Sequence, residues 1–261
     1  MGAKFDQHFL ADPESADTIV RSLGFKPGED VVEIGPGRGV LTERLLWEGA
    51  KVTVVEVDPK LAADLPRRLK SDAVRVFQKD FLYQDLAELP SPCKVVSNLP
   101  YSAGAPITLR LMEWPAWDTA VLMFQKEVAE RVVAEPGGRD YGPFSLAVQL
   151  WADAEYLLTV TSDRFRPPPK VDSGVVRLTR RAKPTLPEGL PAAEFTKVVR
   201  AAFSQRRKMA AKSLSGALGL ERAKVDGAFA AAGLDLMARA ETISLDGFAK
   251  LALALRAAAP C

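Results

Sequence analysis

The chain has 261 residues and a mass of 28.3 kDa, with 48% hydrophobic and 26% charged residues, enough for one sizeable core and a smaller domain. This content excludes a disordered chain, a collagen-like repeat and a disulfide-stapled miniprotein, and no window approaches the roughly 18 consecutive apolar residues of a membrane-spanning helix. The net charge of +2 conceals an asymmetry: residues 1–162 carry 17 Lys/Arg against 24 Asp/Glu, whereas residues 163–261 carry 18 against 9.

The first twenty residues hold no basic stretch leading into an apolar run and a small-residue cleavage site, so an intracellular, cytoplasmic protein is expected. Cys93 and Cys261 lie far apart and His8 is the single histidine. Neither a disulfide framework nor a dedicated metal site is therefore expected. Strand runs follow at 30–34, 51–56, 74–77, 93–97 and 119–124, separated by helical patterns at 41–47, through Leu61, Leu65 and Leu69, at 107–112 and at 127–133. Such alternation predicts an α/β fold, a Rossmann-like, mostly parallel sheet with helices on both faces. Two further β-rich runs, 154–160 and 171–178, are expected to pair antiparallel at its edge. Residues 183–191, rich in Pro and Gly, read as a linker. Beyond it, helical periodicity at about 195–215, 221–232 and 244–258 predicts a small all-helical domain over 192–261, against a first domain over 1–182.

The segment Glu33-Ile34-Gly35-Pro36-Gly37-Arg38-Gly39 ends a strand and opens a helix. Glycines there let the backbone turn tightly and a ligand approach closely. Glu56 ends the next strand, where a carboxylate can accept hydrogen bonds from a ribose diol. The third glycine falls one position early for a dinucleotide fingerprint, and Glu33 would sit awkwardly beside a pyrophosphate. Both features favour S-adenosylmethionine, whose ammonium and sulfonium charges tolerate an acidic neighbour; a dinucleotide enzyme and a purely structural turn are the alternatives. Asp80, after the third strand, can accept an adenine amino hydrogen while Phe81 packs on the ring, or can simply cap a helix.

Ser97-Asn98-Leu99-Pro100-Tyr101 follows the fourth strand, at the end of the sheet where open α/β folds bind ligands. Asn98 and the Leu99 carbonyl can accept the two hydrogens of an exocyclic amino group, Pro100 fixes the backbone, and Tyr101 offers a ring for stacking. That set suits in-line methylation of a base amino group by alignment and placed dipoles. Phe165 can close the other face of an extruded base, or can be a core aromatic at a strand end. Cations cluster around it at Arg164, Arg166 and Lys170, and again at Arg206, Arg207 and Lys208. They read either as solvated faces or as a nucleic-acid surface, and their concentration in one part of the chain favours the latter.

These segments resemble the rRNA adenine N6,N6-dimethyltransferases, the small-subunit dimethyladenosine transferases whose loss gives kasugamycin resistance in bacteria. The resemblance runs nearly end to end. It rests on Phe5 through Leu10, Glu33 through Gly39, Asn98 through Tyr101, Phe124 through Arg131, Phe165 through Ser173, Phe203 through Lys208 and Arg239 through Ser244. It implies that His8 and Leu10 line the cofactor pocket with Gly35, Gly37, Glu56, Asp80 and Asn98. It also implies two methyl transfers to each of two adjacent adenosines in the 3′-terminal hairpin loop of small-subunit rRNA, within a pre-ribosomal particle that the helical domain helps to dock. A monomer without metal or membrane is expected. The alternatives are a large-subunit rRNA methyltransferase of the antibiotic-resistance type and a mainly non-catalytic assembly factor.

Overall fold

A computed structural model of the chain describes residues 8–69, 73–205 and 207–257. In chain order its elements begin with β1 (Phe9–Leu10), α1 (Pro13–Ser22), β2 (Asp30–Ile34), α2 (Val40–Trp47), β3 (Lys51–Val55), α3 (Pro59–Leu69) and β4 (Val74–Phe77). They continue with β5 (Cys93–Asn98), α4 (Gly104–Glu113), β6 (Trp117–Gln125), α5 (Lys126–Val133), α6 (Pro143–Gln149), β7 (Ala152–Val160), β8 (Phe165–Arg166) and β9 (Ser173–Arg180). Four helices complete the described chain: α7 (Ala192–Ala202), α8 (Ala210–Leu218), α9 (Arg222–Ala231) and α10 (Leu245–Ala257).

Seven strands form one sheet in the order β4-β3-β2-β5-β6-β9-β7. β2 through β6 pair in parallel and β9 runs antiparallel to β6. The fold is thus the Rossmann-like sheet with flanking helices that the strand–helix alternation implies. The central strands are continuous apolar runs because both faces are covered: Val31, Val32, Val95, Val96, Ala120, Val121 and Leu122 are fully buried. The two late β-rich runs are neighbours at the edge of the sheet, as expected, with β7 outermost. β9 lies between β6 and β7, because its run Gly174-Val175-Val176 is buried and needs a neighbour on each side, whereas β7 carries exposed polar residues suited to an edge.

The order of strands reverses at β2, which has β3 on one side and β5 on the other. A crevice at the carboxyl ends of these strands follows from that reversal. A second, two-stranded sheet joins β1 to β8, pairing Phe9 with Arg166 and Leu10 with Phe165. This brings the N-terminal segment, as a strap, against the loop that follows β7.

The chain divides into two compact units, Met1–Glu130 with Asp153–Arg181, and Arg131–Ala152 with Ala182–Cys261. Residues 131–152, placed by sequence with the sheet, group instead with the C-terminal helices. Tyr141 is the reason: its phenol donates to the Ile243 carbonyl at 3.1 Å, and it shares a core with Leu146, Leu150, Phe195, Phe229 and Phe248. The helical pattern expected over 195–215 is two helices, α7 and α8, with a turn before Met209, whose backbone bridges to Arg239. The Pro/Gly-rich stretch 183–191 has no regular structure but is anchored, with Thr185 N–H donating to the Leu150 carbonyl at 3.0 Å and Leu190 buried.

Candidate functional site

The carboxyl ends of β2, β3, β4 and β5 converge on a cavity of about 460 Å³ within the sheet unit. The glycine-rich turn, Glu56 with Val57, Lys79 through Leu82 and Asn98 through Ala103 form its walls, and His8, Phe9 and Leu10 of the strap cover one side. The cavity therefore gathers His8, Leu10, Gly35, Gly37, Glu56, Asp80, Asn98, Leu99, Pro100 and Tyr101, residues separated by up to 93 positions in sequence.

Gly35 and Gly37 both adopt left-handed backbone, with φ of 65° and 55°. At Gly37 a second constraint acts: a Cβ would lie 2.9 Å from two ring carbons of Phe9. Bare backbone is needed there both for the turn and for the ring that seals it. The Gly37 N–H donates to Glu56 Oε2 at 3.1 Å, and the Asp58 N–H donates to Oε1 at 2.9 Å. These bonds hold the Glu56 carboxylate at the end of β3. Burial nevertheless raises its pKa, outweighing the backbone donors from Asp58 and Gly37.

Glu33 is more extreme. It is 1% exposed and accepts the Thr42 hydroxyl at 2.6 Å. Burial pushes its pKa up to about 8; the Thr42 hydrogen bond opposes the shift and the Glu56 charge adds to it. Among the described residues neither Glu33 nor Glu56 forms an ion pair. A wall in which the Glu56 carboxylate is fixed at a strand end, and in which neither acid has a cationic partner among the described residues, suits a guest that carries a diol, as S-adenosylmethionine does.

Asp80 caps a short helical turn, its Oδ1 accepting the Leu82 N–H at 2.9 Å, and it also lines the cavity beside buried Phe81. Asp80 is thus a cap that also borders the cavity.

The tetrapeptide is fixed from two directions. Leu99 N–H donates to the Met123 carbonyl at 3.0 Å, which continues the β5–β6 register past the strand end. Asn98 Nδ2 donates to the His8 carbonyl at 3.0 Å. Because a carbonyl can only accept, this bond settles the orientation of the amide and leaves Oδ1 as the acceptor. Among the described residues no hydrogen bond occupies the Leu99 carbonyl. His8 in turn donates through Nδ1 to the Pro167 carbonyl at 2.9 Å, and its ring lies 5.4 Å from that of Tyr101. His8 thus meets Asn98 through its backbone and, through its ring, ties the strap to the loop after β8.

Phe165 is not in the wall. It is fully buried in the sheet-unit core, opposite Leu10 in the β1–β8 pair. The expectation that it faces a base is corrected: at this strand end the apolar ring gains more from complete burial than from exposure at a mouth. Tyr101 is the aromatic ring that the tetrapeptide presents to the cavity.

The basic residues separate by environment. Arg164 pairs with Asp12, the N-cap of α1, and Arg166 donates to the carbonyls of Asp163 and Phe165 at 2.7 and 2.8 Å. Both brace the strap and its loop. Lys170 is exposed and forms no ion pair among the described residues. In the helical unit Arg207 and Lys208 are exposed, and Arg206 lies outside the described residues.

Among the wall residues that sequence reasoning missed are Phe9, Arg38 and Val57. Phe9 packs on the Gly37 backbone, Arg38 lies 4.6 Å above the Phe9 ring, and Val57 is 40% exposed at the end of β3. Val57 had a usable signal, an apolar residue directly after the acidic strand end. The Phe9–Arg38 contact had none, since it joins two segments through a strap only two residues long.

The profile of the family described as Ribosomal RNA adenine dimethylase matches residues 2–255. The chain is 42% identical over 245 residues to the Ribosomal RNA small subunit methyltransferase A of Desulfitobacterium hafniense, covering 93% of this chain and 87% of that protein. With its counterpart in Myxococcus xanthus it shares 41% over 254 residues, covering 95% and 89%. Among solved structures it is similar to a dimethyladenosine transferase from Plasmodium falciparum, with a TM-score of 0.81, 25% identity and coverage of 96% and 98%. It is also similar to the 23S rRNA methyltransferase ErmE, with a TM-score of 0.74, 28% identity and coverage of 95% and 99%.

Proposed function

As the chain belongs to the ribosomal RNA adenine dimethylase family and is an S-adenosylmethionine-dependent rRNA adenine N6-methyltransferase, we propose that it dimethylates N6 of two adjacent adenosines in the 3′-terminal hairpin loop of small-subunit rRNA. The observation that carries the amino-group chemistry is the locked Asn98 amide, whose Oδ1 is left as an acceptor in a wall that also includes Leu99 and Tyr101. The small-subunit target is supported by the names of relatives that are 41–42% identical over 93–95% of this chain.

When bound, S-adenosylmethionine supplies an electrophilic methyl group at a sulfonium centre. Gly35 and Gly37 would border it, Glu56 would take its ribose hydroxyls, and Asp80 and Phe81 its adenine. The chain's own contribution to the reaction is alignment. An adenine amino nitrogen is a poor nucleophile because its lone pair is delocalised into the ring. Two acceptors, Asn98 Oδ1 and the Leu99 carbonyl, hold its hydrogens and favour the pyramidal nitrogen whose lone pair can attack. Tyr101 stacks on the base and fixes its plane. One N6 proton leaves to water as the new bond forms. The once-methylated nitrogen keeps a single hydrogen for one acceptor, which permits a second turnover. Placement of this kind is worth several powers of ten in rate without a covalent intermediate. The partner would be a pre-ribosomal particle, met by a monomer in the cytoplasm through Lys170 and the exposed cations of the helical unit.

The test is transfer of labelled methyl groups to small-subunit particles that lack the modification, followed by nucleoside analysis. N6,N6-dimethyladenosine at two adjacent loop positions is expected, and Asn98→Ala should slow transfer by about a hundredfold, as removal of one placed dipole typically does. Transfer confined to large-subunit RNA, or tight particle binding without transfer, would reject this reading in favour of a resistance-type enzyme or an assembly factor.

A further inference from the structure

We propose that Ser173 is a positioning residue for the reaction: its hydroxyl holds the Tyr101 phenol and thereby sets the plane on which the target base stacks. The inference rests on the reading of Tyr101 as that stacking platform.

Ser173 opens β9 and is fully buried, and it is not part of the cavity wall. Its Oγ lies 3.0 Å from Tyr101 Oη, within hydrogen-bond distance, across 72 residues of sequence. The serine itself is held on all sides. Its backbone is in register with Gln125 of β6, and the preceding carbonyl, that of Asp172, accepts the Lys126 N–H at 2.9 Å. The following residue, Gly174, has no room for a side chain, since a Cβ there would lie 2.5 Å from that of Ala129 and 2.7 Å from the Tyr156 hydroxyl. The backbone that carries Oγ is therefore fixed in the sheet.

Tyr101 needs such an anchor. It follows the strand end and is half-buried, with one side in the cavity and the His8 ring 5.4 Å away at a tilt of 33°. A tyrosine turns about two side-chain torsions, and the second is broad. Anchoring the para oxygen restrains both together. The tilt of the ring sets the height of a stacked base, and that height sets the distance from its amino group to Asn98 Oδ1. Small errors in such a distance are costly in rate. The hydroxyl of Ser173 contributes no charge and touches no reacting atom, so its effect is confined to where the ring stands.

The experiment is a double-mutant cycle on the full-length protein, read as single-turnover methyl transfer to unmodified small-subunit particles at saturating cofactor. Ser173→Ala and Tyr101→Phe each remove one end of the hydrogen bond and keep both the ring and the core volume. Each is expected to slow transfer by about tenfold, and the double variant to be no slower than either single, because both break the same contact. Cofactor affinity of Ser173→Ala should stay near that of the parent, because Ser173 is not in the cavity wall, whereas Tyr101→Phe should melt somewhat lower, since it leaves a buried hydroxyl unpaired. Multiplicative losses in the double variant, or a full rate in either single, would overturn the proposal. Should Ser173→Ala fail to fold, Tyr101→Phe decides alone, since its change lies at a half-buried position. Tyr101→Ala separates this inference from the reading beneath it: a full rate there rejects the stacking platform itself, whereas a large loss beside unaffected Ser173→Ala and Tyr101→Phe rejects only the role of Ser173.

Discussion

Glu33 stands two positions before Gly35, the first glycine of the turn. This acid is buried without a cationic partner among the described residues, and burial governs its proton. With its folded-state pKa raised to about 8 from an ordinary 4.5, Glu33 holds a proton in the folded chain that it would release when unfolded. Its contribution to stability is therefore greatest below about pH 4.5, falls as pH rises towards 8, and changes little beyond. Glu33→Gln cannot ionise, so the variant should gain on the parent across that same window. Melting temperatures of the cofactor-free protein from pH 5 to 9 should diverge by several degrees in favour of the variant at the alkaline end. Parallel curves would mean that the carboxyl is not buried as described. Other residues were beyond sequence reasoning for a simple reason. Arg164 reads as a free cation until the fold places Asp12 beside it, 152 positions away.

The elements legible in advance are those with a long periodic signal. The parallel strands β2, β3, β4, β5 and β6 are apolar runs bounded by turns, and their positions follow from Val, Ile and Phe spacing alone. The strap was not legible, because β1 and β8 have two residues each and their pairing depends on the tertiary fold. The same fact explains Phe165, an aromatic beside a proline-rich loop that looks exposed until β8 turns it into the core. Yet the strap covers one side of the cavity, and its fit to the glycine turn can be tested. Gly37→Ala places a Cβ in left-handed backbone, at a cost of about 1–2 kcal/mol, and drives it against the Phe9 ring, 2.9 Å away. Calorimetric titration with S-adenosylmethionine should show affinity weakened by about tenfold or more, with far-ultraviolet dichroism unchanged. Adding Phe9→Ala removes the collision but not the backbone strain, and should restore part of the loss. If Gly37→Ala binds the cofactor as the parent does, the strap does not seal the turn.

For the whole molecule the informative quantity is the charge asymmetry. A net charge of +2 predicts little, but the excess of 18 cations over 9 acids after residue 162 predicts binding to a polyanion. Some of those cations are internally engaged: Arg177 pairs with Glu155, Arg181 with Asp153 and Arg256 with Glu194. A count from sequence therefore overstates the charge free to meet phosphate. Arg207 and Lys208 are exposed and form no ion pair among the described residues, so they belong to the effective set. Each phosphate contact releases bound counterions, and the logarithm of affinity should fall linearly with the logarithm of salt concentration. Replacing Arg207 and Lys208 together with alanine should make that slope shallower by about 1.4–1.8 if both meet phosphates. Neither residue lines the cavity, so cofactor affinity should be unchanged. Particle binding measured between about 50 and 200 mM salt reads the slope directly. An unaltered slope would assign rRNA contact to other cations, Lys170 first among them, and would make the Arg207–Lys208 pair an ordinary solvated surface.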